Sequence, residues 1–151
     1  MDRYRGAGLL TAAAASLALM SGAAAQEAHP SLSFLKFTVA DLPAMQGFYM
    51  KAFGLSVQKN LDNPDNQELI LTNAKGLDLA LVHYKDNRKI VLGNANGPIG
   101  FYLSAADVDA FYKSAMAAGA VSRSAPGGHG GLRVAIVADP EGHDIELLHL
   151  P

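Results

Sequence analysis

The chain closes on Asp139-Pro140-Glu141-Gly142-His143-Asp144-Ile145-Glu146-Leu147-Leu148, a turn followed by a strand. Proline fixes φ in the turn, and Gly142 can take any position there that needs φ > 0. After the turn the side chains alternate, with Ile145 and Leu147 on one side and Asp144 and Glu146 on the other. Glu146 is therefore a charge in mid-strand, costly to bury without a partner. Either its face meets solvent, or it lines a cavity that uses a carboxylate.

Working back towards the N-terminus, Leu132–Ala138 reads as a strand, preceded by the loop Pro126-Gly127-Gly128-His129-Gly130-Gly131 and a strand near 120–124. A helix is expected from about Ala106 to Ala118, with Val108, Phe111, Tyr112 and Ala115 on one side and Gly119 at its end. Before it, Ile99, Phe101 and Leu103 alternate against Pro98, Gly100 and Tyr102. The same order occurs earlier. Leu35, Phe37 and Val39 alternate against Phe34, Lys36 and Thr38, and Asp41 then caps a helix carrying Met45, Phe48, Tyr49, Ala52 and Phe53, with Gly54 as its C-cap. Strand-like runs follow at about 55–60, 67–72 and 77–84.

Both halves read β-α-β-β-β, an internal repeat. Gly76-Leu77-Asp78-Leu79-Ala80-Leu81-Val82-His83 lies over Gly142-His143-Asp144-Ile145-Glu146-Leu147-Leu148-His149, with glycine, aspartate and histidine in common. Ala80 then occupies the place of Glu146. The expected organisation is one domain over 33–149, made of a module at 33–84, a polar linker at 85–97 and a module at 98–149.

The chain has 151 residues, 50% hydrophobic and 17% charged, with a formal net charge of −2, as in an ordinary globular domain. Near-zero charge offers no electrostatic case for nucleic acid. Without cysteine, disulfides, thiolate metal sites and a cysteine nucleophile are excluded. Arg3 and Arg5, the apolar run from Ala7 to Met20 and the exit Ser21-Gly22-Ala23-Ala24-Ala25 form the pattern of a secretory signal peptide over 1–25, cleaved before Gln26. The run is short for a spanning helix, so no membrane association is expected after cleavage. Residues 26–32 form a flexible lead-in, and the mature protein is expected to be exported, to the bacterial periplasm.

A doubled βαβββ unit with Thr38-Val39-Ala40-Asp41-Leu42 running into a helix that holds Phe48-Tyr49 and ends Phe53-Gly54-Leu55 resembles the vicinal oxygen chelate superfamily. So does the ending Asp139-Pro140-Glu141-Gly142-His143-Asp144-Ile145-Glu146-Leu147. This group holds glyoxalase I, bleomycin-resistance proteins and extradiol dioxygenases. The resemblance implies an α+β fold in which two tandem βαβββ modules form a cupped mixed sheet around a cleft. It also implies metal ligands on the first and last strand of each module. Carried over, those positions fall at Phe34, Ala80, Pro98 and Glu146. Only Glu146 can bind a cation, whereas a catalytic metal needs about three protein ligands. No cofactor is therefore expected; a divalent metal is open but not supported by these positions.

Alternation puts Phe34, Lys36, Thr38, Asp78, Ala80, Val82, Pro98, Gly100, Tyr102, Asp144, Glu146 and Leu148 towards the cleft, with Lys36 a candidate ion-pair partner for Glu146. Phe34, Lys36, Thr38, Ala80, Val82, Pro98, Tyr102, Arg133 and Leu148 are candidate ligand-binding residues, Tyr102 for stacking and orientation and Arg133 for an anionic group. Glu146 is a candidate general base or hydrogen-bond acceptor, and His129 a candidate acid or base delivered by a mobile glycine-rich loop. His83 and His149 match through the repeat and point away from the cleft, while His143 is expected to be exposed at the turn tip. Two function classes stand. One is an exported, metal-independent protein that binds a small organic molecule in an aromatic cleft. The other is an enzyme, a glyoxalase-like lyase, isomerase or dioxygenase, using Glu146 with or without a metal. The family's habit of pairing modules between chains leaves a homodimer open.

Overall fold

The structure, a computed structural model, describes residues 33–86 and 99–151. The signal-peptide and lead-in readings, most of the linker and Pro98 lie outside the described residues. The architecture is α+β. Its elements are β1 (Phe34–Thr38), α1 (Leu42–Phe53), β2 (Ser56–Asp62), β3 (Asn66–Thr72), β4 (Asp78–Tyr84), β5 (Ile99–Tyr102), α2 (Ala105–Ala117), β6 (Val121–Gly127), β7 (Arg133–Ala138) and β8 (Asp144–His149). They form two four-stranded mixed sheets of the same plan, ordered β1-β4-β3-β2 and β5-β8-β7-β6. In each, the first strand runs parallel to the last, and the other pairs are antiparallel. The parallel pair needs a crossover, and each module supplies one containing its helix.

Local sequence sets the helix ends. The Asp41 carboxylate accepts from the Ala44 amide at 2.9 Å, Pro43 sits in the first turn, and Gly54 ends α1 at φ 65°. Ser104 caps α2 through its hydroxyl, which accepts from the Asp107 amide at 3.2 Å. Alternation decides what lies beneath the helices. Leu69, Leu71, Leu79 and Leu81 lie on the strands that meet α1, and Ala135, Val137, Ile145 and Leu147 on those that meet α2; with Phe37 they belong to one buried cluster that runs through both modules. Phe53 joins the halves, stacked on Phe101 with centroids 4.7 Å apart.

β6 runs further than expected, through Pro126 and Gly127. Register shifts between Ser122 and Ser124 and between Ser124 and Gly127 make room for them. This is an edge strand, where a proline's missing N–H costs no ladder bond.

The turn at 139–143 is the largest departure from the sequence reading. His143 is not exposed: it is fully buried, stacked on Phe37 at 4.9 Å with the rings 6° from parallel. Asp139 beside it is buried as well and organises the turn. One carboxylate oxygen accepts from the amides of Glu141 (3.0 Å) and His143 (2.9 Å). The other faces the Tyr49 hydroxyl at 2.9 Å and His143 Nδ1 at 2.8 Å. These four contacts make burial of a carboxylate tolerable. The Tyr49 phenol is held well above its usual pKa, first by burial and then by the Asp139 carboxylate next to it. Glu141 completes the join, its carboxylate accepting from the amides of Ala40 (2.8 Å) and Asp41 (2.7 Å) where α1 begins. The negative charge suits a helix N-terminus. The closing turn of the second module thus grips the first helix of the other.

Candidate functional site

The face of each sheet turned away from its helix carries the expected side chains. Lys36 is in register with Ala80 on β4, and Thr38 with Val82. Gly100 is in register with Glu146 and Tyr102 with Leu148. Glu146 thus stands beside a residue with no side chain. A methyl group at Gly100 would come 3.9 Å from a Glu146 carboxylate oxygen, an ordinary contact, so that oxygen leans over β5. Glu146, Gly100, Phe101, Tyr102 and Leu148 enclose a small hollow of about 110 Å³. Tyr102 is 79% exposed, an aromatic ring and hydroxyl displayed rather than packed.

The first module contributes a different set. Lys36 does not pair with Glu146. It reaches diagonally over β4 to Glu68 on β3, at 2.9 Å, and its ammonium lies 5.6 Å from the centre of the Phe34 ring. Glu68 is in register with Val82, so the ion pair crosses the row that holds Ala80 and Val82, both buried. Glu68 was missed in the sequence. Its alternation against Leu69 and Leu71 marks it as facing this side, but not that Lys36 lies within reach.

One candidate is displaced. Arg133 is in register with His149 and shares the helix side with Ala135. There it makes a bidentate pair with Asp109 of α2, at 2.7 and 2.6 Å. The hydrogen bond from Arg133 lowers the Asp109 pKa and raises that of Arg133. Arg133 is thus removed from the cleft face and engaged elsewhere. His129 is exposed in the β6–β7 loop, in a turn closed by the Leu132 amide donating to the His129 carbonyl at 3.0 Å. The glycines here serve conformation. Gly128 has φ 143°, and a Cβ on it would lie 2.0 Å from the Leu132 carbonyl oxygen. The matched histidines have a shared structural task. His83 Nδ1 lies 3.3 Å from the Val39 carbonyl and His149 Nδ1 2.9 Å from that of Leu103, each tying down the residue just past its module's first strand.

The residues do not fit the metal centre that the fold implies. Phe34 and Ala80 carry hydrocarbon at two of the family positions. Among the described residues, the walls around Glu146 offer only Tyr102 as a further polar side chain. Among the described residues no three His, Cys, Asp or Glu side chains cluster so as to hold an ion. Nearby on the same face, Asp144 is paired with Arg123 at 3.2 Å. Chemically, the arrangement offers one carboxylate as acceptor or base, a phenol and an apolar floor.

A doubled βαβββ unit, each half a four-stranded mixed sheet with one helix, defines the class: a two-module glyoxalase-type fold. The model of the glyoxalase/bleomycin resistance protein/dioxygenase superfamily matches residues 31–147, and the chain belongs to that superfamily. Solved structures agree. Hypothetical protein SA1046 from S. aureus superposes with a TM-score of 0.65 at 19% identity, over 82% of this chain and 96% of that one. A glyoxalase/bleomycin resistance protein from Albidiferax ferrireducens T118 gives 0.62 at 24% identity, over 79% and 98%. A glyoxalase I mutant from Zea mays gives 0.69 at 23% identity, over 78% of this chain but 46% of the maize chain. At these identities the likeness is one of fold. No curated protein matches the sequence.

Proposed function

We propose that this protein is an exported, glyoxalase-like binder of a small organic molecule that works without the usual metal centre of its family. The observation that carries this reading is the setting of Glu146, a carboxylate beside Gly100 and below an exposed Tyr102, with Phe34 and Ala80 where ligands would be needed. A lone carboxylate accepts hydrogen bonds from a ligand, and an exposed ring stacks on one. A single oxygen donor residue holds a divalent cation weakly and with no fixed geometry. Export rests on the N-terminal pattern of residues 1–25.

Elemental analysis of the purified protein, with thermal shift on adding Ni²⁺, Zn²⁺, Mn²⁺ or Fe²⁺, tests the metal-free reading. The expected result is no stoichiometric metal and no stabilisation that depends on Glu146. A stoichiometric ion lost in Glu146→Ala overturns it. N-terminal sequencing of protein recovered from the periplasm is expected to begin at Gln26; an intact Met1 terminus refutes export by cleavage.

A further inference from the structure

We propose that the open end of the seam between the two modules is a second binding site, for a small aromatic acid that also carries a hydrogen-bond donor. The argument starts from broken symmetry. Lys36 is in register with Ala80 as Gly100 is with Glu146, so Phe37 and Phe101 are equivalent, as are the turns at 73–77 and 139–143. The two turns are locally alike. Asn73 Oδ1 accepts from the Lys75 amide at 2.9 Å, just as Asp139 Oδ1 accepts from the Glu141 amide at 3.0 Å.

Across the seam they differ. At one end His143 is buried against Phe37, and the Glu141 carboxylate holds the amides at the start of α1. At the other end Lys75 replaces the glutamate, and an ammonium has no lone pair with which to accept from the amides at the start of α2. Leu77, in the place of His143, is 43% exposed instead of buried. The seam there stays open as a cavity of about 480 Å³. That is several times the hollow at Glu146 and within the range of small-molecule sites.

Its walls state the ligand chemistry. Leu35, Leu55, Leu77, Leu79, Ile99 and Phe101 supply an apolar enclosure suited to a ring system. Lys75 and Asp78 also line it, and neither forms an ion pair with another described residue. The ammonium suits a carboxylate or sulfonate, and the Asp78 carboxylate and Asn73 suit an N–H or O–H donor. Gly100, Phe101 and Tyr102 border both this cavity and the hollow at Glu146, but Glu146 itself is not among its walls.

Anilinonaphthalene sulfonate, with two ring systems, a sulfonate and an N–H, is the probe. Titrated by fluorescence into the intact protein, it is expected to fill one saturable site. Lys75→Glu is expected to weaken binding by about tenfold, the loss of one charge-assisted contact. Leu77→Trp, which fills the cavity from an exposed position, is expected to abolish it. Glu146→Gln is expected to leave the affinity unchanged, which separates this site from the cleft. Cooperative thermal unfolding of each variant shows that it is folded. Absence of saturable binding overturns the proposal. So does one-site binding indifferent to Lys75→Glu and Leu77→Trp, or lost in Glu146→Gln. Binding that falls as the protein dimerises with concentration overturns it too, since a second copy would then be the occupant.

Discussion

Asp139→Asn changes one atom and tests how the two modules are held together. The native carboxylate receives two backbone amides on one oxygen and faces Tyr49 and His143 on the other, all four contacts within 3.0 Å. If the asparagine oxygen serves the amides, its NH₂ faces Tyr49 and His143. The phenol can rotate to accept. His143 cannot adapt so cheaply. Facing a carboxylate, His143 donates from Nδ1–H, which leaves Nε2, without a hydrogen-bond partner among the described residues, as a bare lone pair. Accepting from asparagine requires the other tautomer, which puts an unpartnered N–H in the interior. Loss of charge-assistance costs about 1 kcal/mol and a buried unsatisfied donor about 1–3 kcal/mol, giving a total of about 2–4 kcal/mol. Equilibrium urea denaturation measures this through a lowered midpoint at an unchanged slope. Combined with Tyr49→Phe it forms a double-mutant cycle expected to show coupling of at least about 0.5 kcal/mol, as for residues sharing one network. A loss below about 0.5 kcal/mol, or simple additivity with Tyr49→Phe, refutes the idea that this carboxylate organises the seam.

Glu141→Ala removes the acceptor for two amides at the start of α1; since water can replace it, a loss of about 1–2 kcal/mol is expected in the same assay, and no change would show the grip to be incidental. Tyr49 has a raised pKa in the folded state. Below about pH 10 the phenol is protonated whether folded or not. Above it the unfolded chain releases the proton and the native protein does not, so stability falls as pH rises towards the native value. Tyrosinate absorbance is therefore expected to show one tyrosine titrating only with unfolding, and Tyr49→Phe to remove that step; normal titration of every tyrosine in the native state contradicts the burial. Gly128→Ala puts a methyl group 2.0 Å from the Leu132 carbonyl oxygen at φ 143°. It is expected to cost more than about 2 kcal/mol, while Gly130→Ala, with nothing within 4 Å, costs less despite its φ of 59°. Equal losses would mean that the loop is mobile.

The repeat and the fold were legible because alternation and helical spacing are local. Phe37 against Lys36, or Ile145 against Glu146, declares a face whatever the rest of the chain does. Parity also held the answer for Arg133, which shares a side with Ala135 and Val137 and hence with α2; its nearness to the glycine-rich loop suggested the cleft instead. The sequence alone determined two βαβββ modules, the caps of the first helix and a cleft face on which Glu146 lacks the family's companions. The pairing of side chains between strands and modules was decided only by tertiary structure. Lys36 pairs with Glu68, not Glu146, because β3 lies one strand beyond β4 in its own sheet. His143 is buried because its turn docks on Phe37 and α1, while the equivalent turn at 73–77 is left short of docking by Lys75 and Leu77. The two turns differ locally at those residues, but the alternation that follows each is the same, so the pattern alone does not say which of them docks. An ion pair or a closed seam depends on which distant group arrives opposite, and that is set by how the sheets and modules assemble.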